Sequence, residues 1–153
     1  MQIPKQLINC LNESGVSYEI LQHPEAVTAQ RVAQVEHIKA RHQAKVVMVK
    51  SEGNHLMAVI PADLRIDLLK VEKLTGKPAS LETEQDFKAI FPDCALGAMP
   101  PFGNLYGLRT YVDERLARQD YIVFEAGTHT DAIKLKYTDY ERIVRPQVAD
   151  LTI

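Results

Sequence analysis

The segment AKVVMVKSEGNHLMAVIP, positions 44–61, constrains this chain more than any other. Its first run is rich in β-branched residues, and side chains on a strand alternate between faces. Lys45, Val47 and Val49 therefore share one side, and Ala44, Val46 and Met48 share the other. Both sides are apolar, so this is a central strand covered on both faces. The stretch 51–54, around Gly53, has hairpin-turn chemistry, 55–60 is the returning strand, and Pro61 halts it. A chain built on such a hairpin needs enough other elements to cover two sheet faces.

The remaining elements supply them. Ile3, Leu7, Ile8 and Leu11 recur at helical spacing up to Gly15, and 18–22 reads as a short strand before Pro24. Thr28 has the character of an N-cap for a helix over 29–38. Leu64, Leu68, Val71 and Leu74 form an amphipathic face, closed by Gly76 as C-cap with Pro78 beyond it. Thr83 caps a shorter helix carrying Phe87, Ile90 and Phe91 on one face, and Pro92 stops it. Strands are expected at 109–113, 121–125 and 132–136. A last helix opens on a capping box, Thr138 to Glu141, and ends before Pro146. Hairpins interleaved with helices predict an α+β domain: one mixed, mostly antiparallel central sheet flanked by helices, spanning 1–153 without a linker or repeat.

A chain of 153 residues, 46% hydrophobic and 25% charged, buries roughly 70% of its unfolded surface and needs no staples. No apolar run approaches a membrane span, and the N-terminus lacks signal-peptide character, so a cytoplasmic location is expected. Two isolated cysteines, Cys10 and Cys94, suit a reducing compartment and argue against disulfide scaffolds, zinc ribbons and iron-sulfur clusters. A net charge of −2 argues against a bulk polyanion binder such as a DNA-packaging protein. Charge is uneven, however. Lys39, Arg41, Lys45 and Lys50 cluster in 36–50 with His37 and His42 interleaved, while Glu82, Glu84 and Asp86 form an acidic patch; solvated faces are the plainer reading of both.

Several chemistries drop out. None of the four serines lies in a GxSxG setting, and neither cysteine has a histidine signature beside it, so core packing is the simpler account of Cys10 and Cys94. His37 and His42 stand five apart, HExxH is absent, and no metal or cofactor is expected. Both common phosphate-cradling glycine motifs are missing.

Three features remain. Lys45, at the mouth of a doubly covered strand, either snorkels to solvent or anchors an anion such as phosphate. The stretch CALGAMPPFGNLYGL at 94–108 packs three glycines and two adjacent prolines into an apolar run. It either makes a rigid connection or presents preorganised backbone N–H groups to a carbonyl oxygen, with glycine allowing close approach. Gly127, Thr128, His129, Thr130 and Asp131 either form a plain turn or offer hydroxyls and an imidazole to a small polar substrate.

Taken in order, AKVVMVK, PADLRIDLLK, GAMPPFG, YVDE and AGTHTDAIKL resemble the superfamily of YbaK-like deacylases and the editing domain of bacterial prolyl-tRNA synthetases, over nearly the whole chain. The resemblance implies a trans-acting hydrolase that removes a wrongly attached amino acid from the 3′-terminal adenosine of tRNA, of the prolyl-tRNA mischarging type with a small amino acid. Lys45 matches the family lysine associated with the terminal nucleotide, and Gly97 with Pro101 matches its GxxxP loop. Gly103 closes that loop; His129, in the Gly127-Thr128-His129-Thr130 segment, resembles the histidine that the prolyl-synthetase editing type places near the aminoacyl pocket, with Gly127, Thr128 and Thr130 expected to line it. Cysteinyl-tRNA deacylases carry a different residue in this turn and a small polar one at the Pro100 position, so cysteine is not the expected substrate. The implied partner is aminoacyl-tRNA, with a synthetase partner left open and no membrane or DNA partner. A catalytically silent tRNA-binding relative and a hydrolase of another small ester are the alternatives. The sequence shows no obvious general base, so catalysis would rest on geometry and oxyanion stabilisation.

Overall fold

The computed structural model describes residues 2–24 and 39–153. The helix expected over 29–38, its cap Thr28, and Glu36 and His37 lie outside these residues. Strand β1 (Tyr18–Gln22) follows helix α1 (Lys5–Glu13), which buries Leu7 and Leu11 and ends near Gly15 at φ 68°. The hairpin forms as the sequence predicts: β2 (Ala44–Ser51) pairs antiparallel with β3 (Asn54–Pro61) along its full length, from Ala44 opposite Pro61 to Ser51 opposite Asn54. Its two turn residues, Glu52 and Gly53, have φ of 48° and 81°, the double positive φ of a type I′ turn that matches strand twist.

Helix α2 (Leu68–Thr75) starts later than the apolar spacing suggests. Asp67 accepts hydrogen bonds from the Leu69 and Lys70 amides and fixes the N-terminus there, leaving Leu64 in the turn after β3. Gly76 closes it at φ 73°. Strand β4 (Ser80–Leu81) leads to α3 (Glu84–Phe87), where the Asp86 carboxylate accepts from the Thr83 amide and hydroxyl; one 3₁₀ turn continues it (Lys88–Ile90). Then come a second 3₁₀ turn (Gly103–Tyr106), β5 (Arg109–Asp113), α4 (Glu114–Ala117), β6 (Tyr121–Glu125), β7 (Asp131–Lys136), α5 (Tyr137–Val144) and β8 (Gln147–Ala149). The capping box expected at Thr138 is not used. Helix α5 runs straight on from β7 with Lys136 at the cap position, because the buried Tyr137, Tyr140 and Val144 set its register.

The α+β character and the preponderance of antiparallel pairs hold, but the strands divide into two sheets rather than one. One sheet has the order β1-β7-β6, all antiparallel; the other has the order β4-β2-β3-β5-β8, with β3-β5 and β5-β8 parallel. A single parallel bridge between Gln43 and Val123 joins them at the start of β2. His42 pins this seam: its ring stacks on Tyr121 at 4.0 Å and its Nδ1 lies 3.0 Å from the Tyr121 carbonyl.

The main core lies where both sheets meet. Ala44, Met48, Met57 and Val59 come from one, Ile122, Phe124, Ile133 and Leu135 from the other, and Leu7, Leu11, Tyr137 and Tyr140 from the helices. Val49, Leu56, Ala58, Ile60 and Tyr111, on the opposite face of the five-stranded sheet, pack with Val71 of α2. The alternation along β2 thus divides its side chains between two cores, and Lys45 belongs to the outer face.

Candidate active site

The loop 94–103 and the turn 126–131 form one hydrogen-bonded unit. The Ala95 amide donates to the Gly127 carbonyl at 2.8 Å, and the Gly127 amide donates to the Ala98 carbonyl at 2.8 Å. Ala98, Met99, Pro100, Pro101 and Phe102 are buried, and the buried Tyr140 hydroxyl donates to the Pro101 carbonyl at 2.7 Å. Leu96 and Gly97 are the exposed crest of an otherwise buried loop. Gly97 has φ 84°, a backbone conformation that costs an L-residue roughly 1–2 kcal/mol.

The other two glycines expected at the substrate have packing roles. A Cβ at Gly103 would lie 2.0 Å from Thr110 Oγ1, and one at Gly127 would lie 2.5 Å from Pro4 Cδ. Thr128 holds the turn: its hydroxyl donates to Asp131 Oδ2 at 2.6 Å and accepts from the Thr130 and Asp131 amides. That occupies it within the protein. Thr130 is exposed, and its hydroxyl makes only long contacts, 3.4 Å, to Thr128 and Asp131.

His129 connects turn to loop. Its Nε2 lies 2.8 Å from the Leu96 carbonyl, and because a carbonyl only accepts, this nitrogen carries the proton. Its Nδ1 lies 4.0 Å from Oε1 of Glu125, the last residue of β6. The Glu125 side chain is 6% exposed, Oε1 has no hydrogen-bond partner, and burial raises its pKa to about 8. At neutral pH this carboxyl is mostly protonated, so its approach to His129 is a neutral contact rather than an ion pair. Sequence reasoning missed Glu125, although a carboxylate sharing a face with Val123 just before AGTHT was a readable signal.

Lys45 joins this arrangement through the seam between sheets. Two residues beyond the Gln43–Val123 bridge stand Lys45 on one strand and Glu125 on the other, on the same side by alternation. Lys45 is half-buried, its Nζ donates to the Leu64 carbonyl at 3.2 Å, and its pKa is lowered by burial, then by Arg65, against a smaller opposing effect of Asp63. Lys39, Arg41 and Lys50 are exposed, as the plainer reading of the basic segment held. In the acidic patch, Glu82 instead pairs with His55 and Asp86 caps α3.

Neither cysteine is an activated nucleophile. Burial pushes the Cys94 thiol up to about 12, with Tyr106 and Asp93 as its polar neighbours, and Cys10 is raised as well. Among the described residues no group of three or more His, Cys, Asp or Glu side chains could hold a metal. A cleft of about 600 Å³ opens at the other end of β2, between Ser51, His55, Lys77 and Arg109. Six residues of strand, roughly 20 Å, separate it from Lys45. Two of its charged groups are already paired, Lys77 with Glu52 and His55 with Glu82.

Solved structures share this architecture, a class of small α+β domains. The hypothetical protein APE2540 superimposes with a TM-score of 0.88 at 18% identity, covering 97% of this chain and 100% of its own. A proposed trans-editing enzyme for prolyl-tRNA synthetase does so with 0.84 at 22% identity, covering 97% and 96%. Residues 23–143 match the family described as the aminoacyl-tRNA editing domain, and this chain belongs to that family. It is a hydrolase acting on aminoacyl-tRNA. It is also 28% identical over 152 residues to the multifunctional Ser/Thr-tRNA deacylase ProXp-y of Escherichia coli K12, covering 95% of this chain and 90% of the relative. Among the described residues no helix is long and apolar enough to cross a membrane.

Proposed function

We propose that residues 1–153 act as a single trans-editing unit that hydrolyses the ester between a small, wrongly attached amino acid and the 3′-terminal adenosine of tRNA, in the cytoplasm and without a cofactor. The observation that carries this reading is the His129 to Leu96 hydrogen bond, which fixes the pocket turn against the loop crest at Gly97. Loop backbone N–H groups at the crest polarise the ester carbonyl, and Lys45 holds a phosphate of the terminal nucleotide as a point charge. Water adds to the carbonyl carbon, the bond to the ribose oxygen breaks, and the amino acid leaves tRNA with a free hydroxyl. The vicinal ribose hydroxyl positions the water, so proximity supplies the rate where no side-chain base stands ready.

Specificity falls to His129 and Thr130, since the Thr128 hydroxyl is spent on the turn. The relative named for seryl- and threonyl-tRNA makes these esters, with alanyl esters on tRNA for proline, the first substrates to try. His129→Ala is expected to relax selectivity towards bulkier side chains, because it removes several heavy atoms of pocket wall and leaves Lys45 in place. The test compares wild type and variant on one tRNA charged with alanine, serine, cysteine, threonine or proline. A uniform loss on all five would assign His129 to the chemistry, and no change would return it to a structural turn.

Gly97→Ala separates loop geometry from fold. The variant is expected to lose roughly 1–2 kcal/mol of stability through its positive φ. It should lose turnover by more than that figure accounts for, because the crest must shift to relieve the strain. Thermal unfolding and steady-state deacylation measured side by side decide it; an unchanged rate in the folded variant would remove the crest from catalysis.

A further inference from the structure

Two buried polar side chains at the seam have unmet hydrogen-bonding capacity. Gln43 is 0% exposed and neither its Oε1 nor its Nε2 has a partner; Glu125 is 6% exposed and its Oε1 has none. Gln43 pairs with Val123, and Glu125 lies two residues further along the same strand, so both side chains project to one side. Buried polar groups in native proteins are almost always satisfied, and two exceptions on one patch mark a place where another molecule supplies the bonds.

No described lysine of this face fills that need. Lys45 Nζ donates to the Leu64 carbonyl, and Lys134, cross-strand from Val123, holds its ammonium 4.4 Å from the centre of the Tyr121 ring. The two unmet oxygens, Gln43 Oε1 and Glu125 Oε1, each call for a donor, and a small amine brought by the substrate would supply it. Glu125 Oε1 lies 4.0 Å from one side of the His129 ring, whose other nitrogen holds the Leu96 carbonyl at the loop crest. The carboxyl and the loop crest thus flank opposite sides of one imidazole, 4.0 Å and 2.8 Å from its two nitrogens. In an aminoacyl ester, the group one carbon away from the ester carbonyl is the α-amine.

We propose that Glu125, with Gln43 beside it, binds the α-ammonium group of the aminoacyl ester; this rests on the deacylase reading above. Binding is linked to protonation. Burial holds the free carboxyl protonated up to about pH 8, and an α-amine titrates near the same value, about 7.7–8. At pH 7 the free amine is mostly ammonium and the free carboxyl mostly protonated, so forming the carboxylate–ammonium pair releases the carboxyl proton to solvent. The site then reads a feature common to every aminoacyl-tRNA and missing from esters whose amine is acylated. Peptidyl-tRNA would be spared by chemistry rather than by size alone.

The experiment compares seryl-tRNA with N-acetyl-seryl-tRNA in wild type and Glu125→Gln, each checked for folding by circular dichroism. In parallel, a non-hydrolysable 3′-seryl-amide analogue of adenosine, with and without N-acetylation, is titrated by calorimetry at pH 7. Wild type is expected to favour the free amine at least about 10-fold in both assays, and Glu125→Gln should bring that ratio close to one. If Glu125→Gln fails to fold, Glu125→Asp, which keeps the charge on a shorter arm, should retain part of the ratio. Equal treatment of both substrates by wild type would overturn the proposal while leaving the deacylase reading intact. An equal slowing of both by the variant, with the ratio preserved, would overturn it in favour of a structural role. Absence of deacylation would count against the function proposed above, and the analogue titration would still decide the amine site.

Discussion

Lys45→Ala is expected to lower kcat/KM for deacylation at least about 10-fold, or 1.4 kcal/mol of transition-state stabilisation, in a protein that still folds. The fold should survive because the side chain sits at the second residue of β2 and, among the described residues, makes one hydrogen bond, to the Leu64 carbonyl at 3.2 Å. Losing a bond of that kind costs about 1 kcal/mol. Its half-buried setting already disfavours the charged form, with Arg65 adding repulsion, so a phosphate that restores a counter-charge gains more there than at an exposed lysine. Salt dependence separates this anchor from a packing role. If Lys45 touches a phosphate of single-stranded 3′ end, its removal should shallow the slope of log affinity against log salt by about 0.7. Full activity in the folded variant, or an unchanged salt slope, would reject the anchor.

Elements fixed by neighbours in the chain were legible from the sequence. The 44–61 hairpin needed only alternation and a turn residue tolerant of positive φ, and the structure places Glu52 and Gly53 accordingly. Strands at 109–113 and 121–125 likewise fall where β-branched and aromatic residues cluster. What local pattern missed was decided by distant contacts. Thr138 offers a sound capping box, yet three buried side chains of α5 outweigh the roughly 1 kcal/mol a cap supplies. The division into two sheets turns on one bridge between residues eighty positions apart, Gln43 and Val123. Site residues follow the same rule. At Gly103 and Gly127 the missing side chain leaves room for Thr110 and Pro4, contacts that no local pattern encodes. Glu125 shares a face with Val123, which is a faint sequence signal, but a carboxylate at a strand end normally faces water and its burial comes from distant packing.

Burial of Glu125 gives the largest expected effect on stability, and its sign follows from linkage. The folded pKa, about 8, lies above the ordinary value of 4.5, so between these limits the native state holds a proton that the unfolded chain has released. Stability is then fully present below about pH 4.5 and is lost as pH rises towards 8, at up to about 1.4 kcal/mol per pH unit. Over that window the loss is on the order of 4 kcal/mol, a large share of what holds a domain of this size together. Glu125→Gln keeps the shape and removes the titration. The variant is therefore expected to gain on wild type as pH rises, with little difference at pH 5 and the greatest at pH 8.5. Urea unfolding of both proteins at pH 5, 7 and 8.5 measures this, and titrations common to both cancel in the difference. His129 Nδ1 lies 4.0 Å from the carboxyl, so the same series in a His129→Ala background removes that neighbour's contribution from the difference. A difference that stays flat with pH would mean that the carboxyl titrates as if exposed. A difference that grows as expected would show a residue kept at a cost to the fold, the usual mark of a group retained for binding or catalysis.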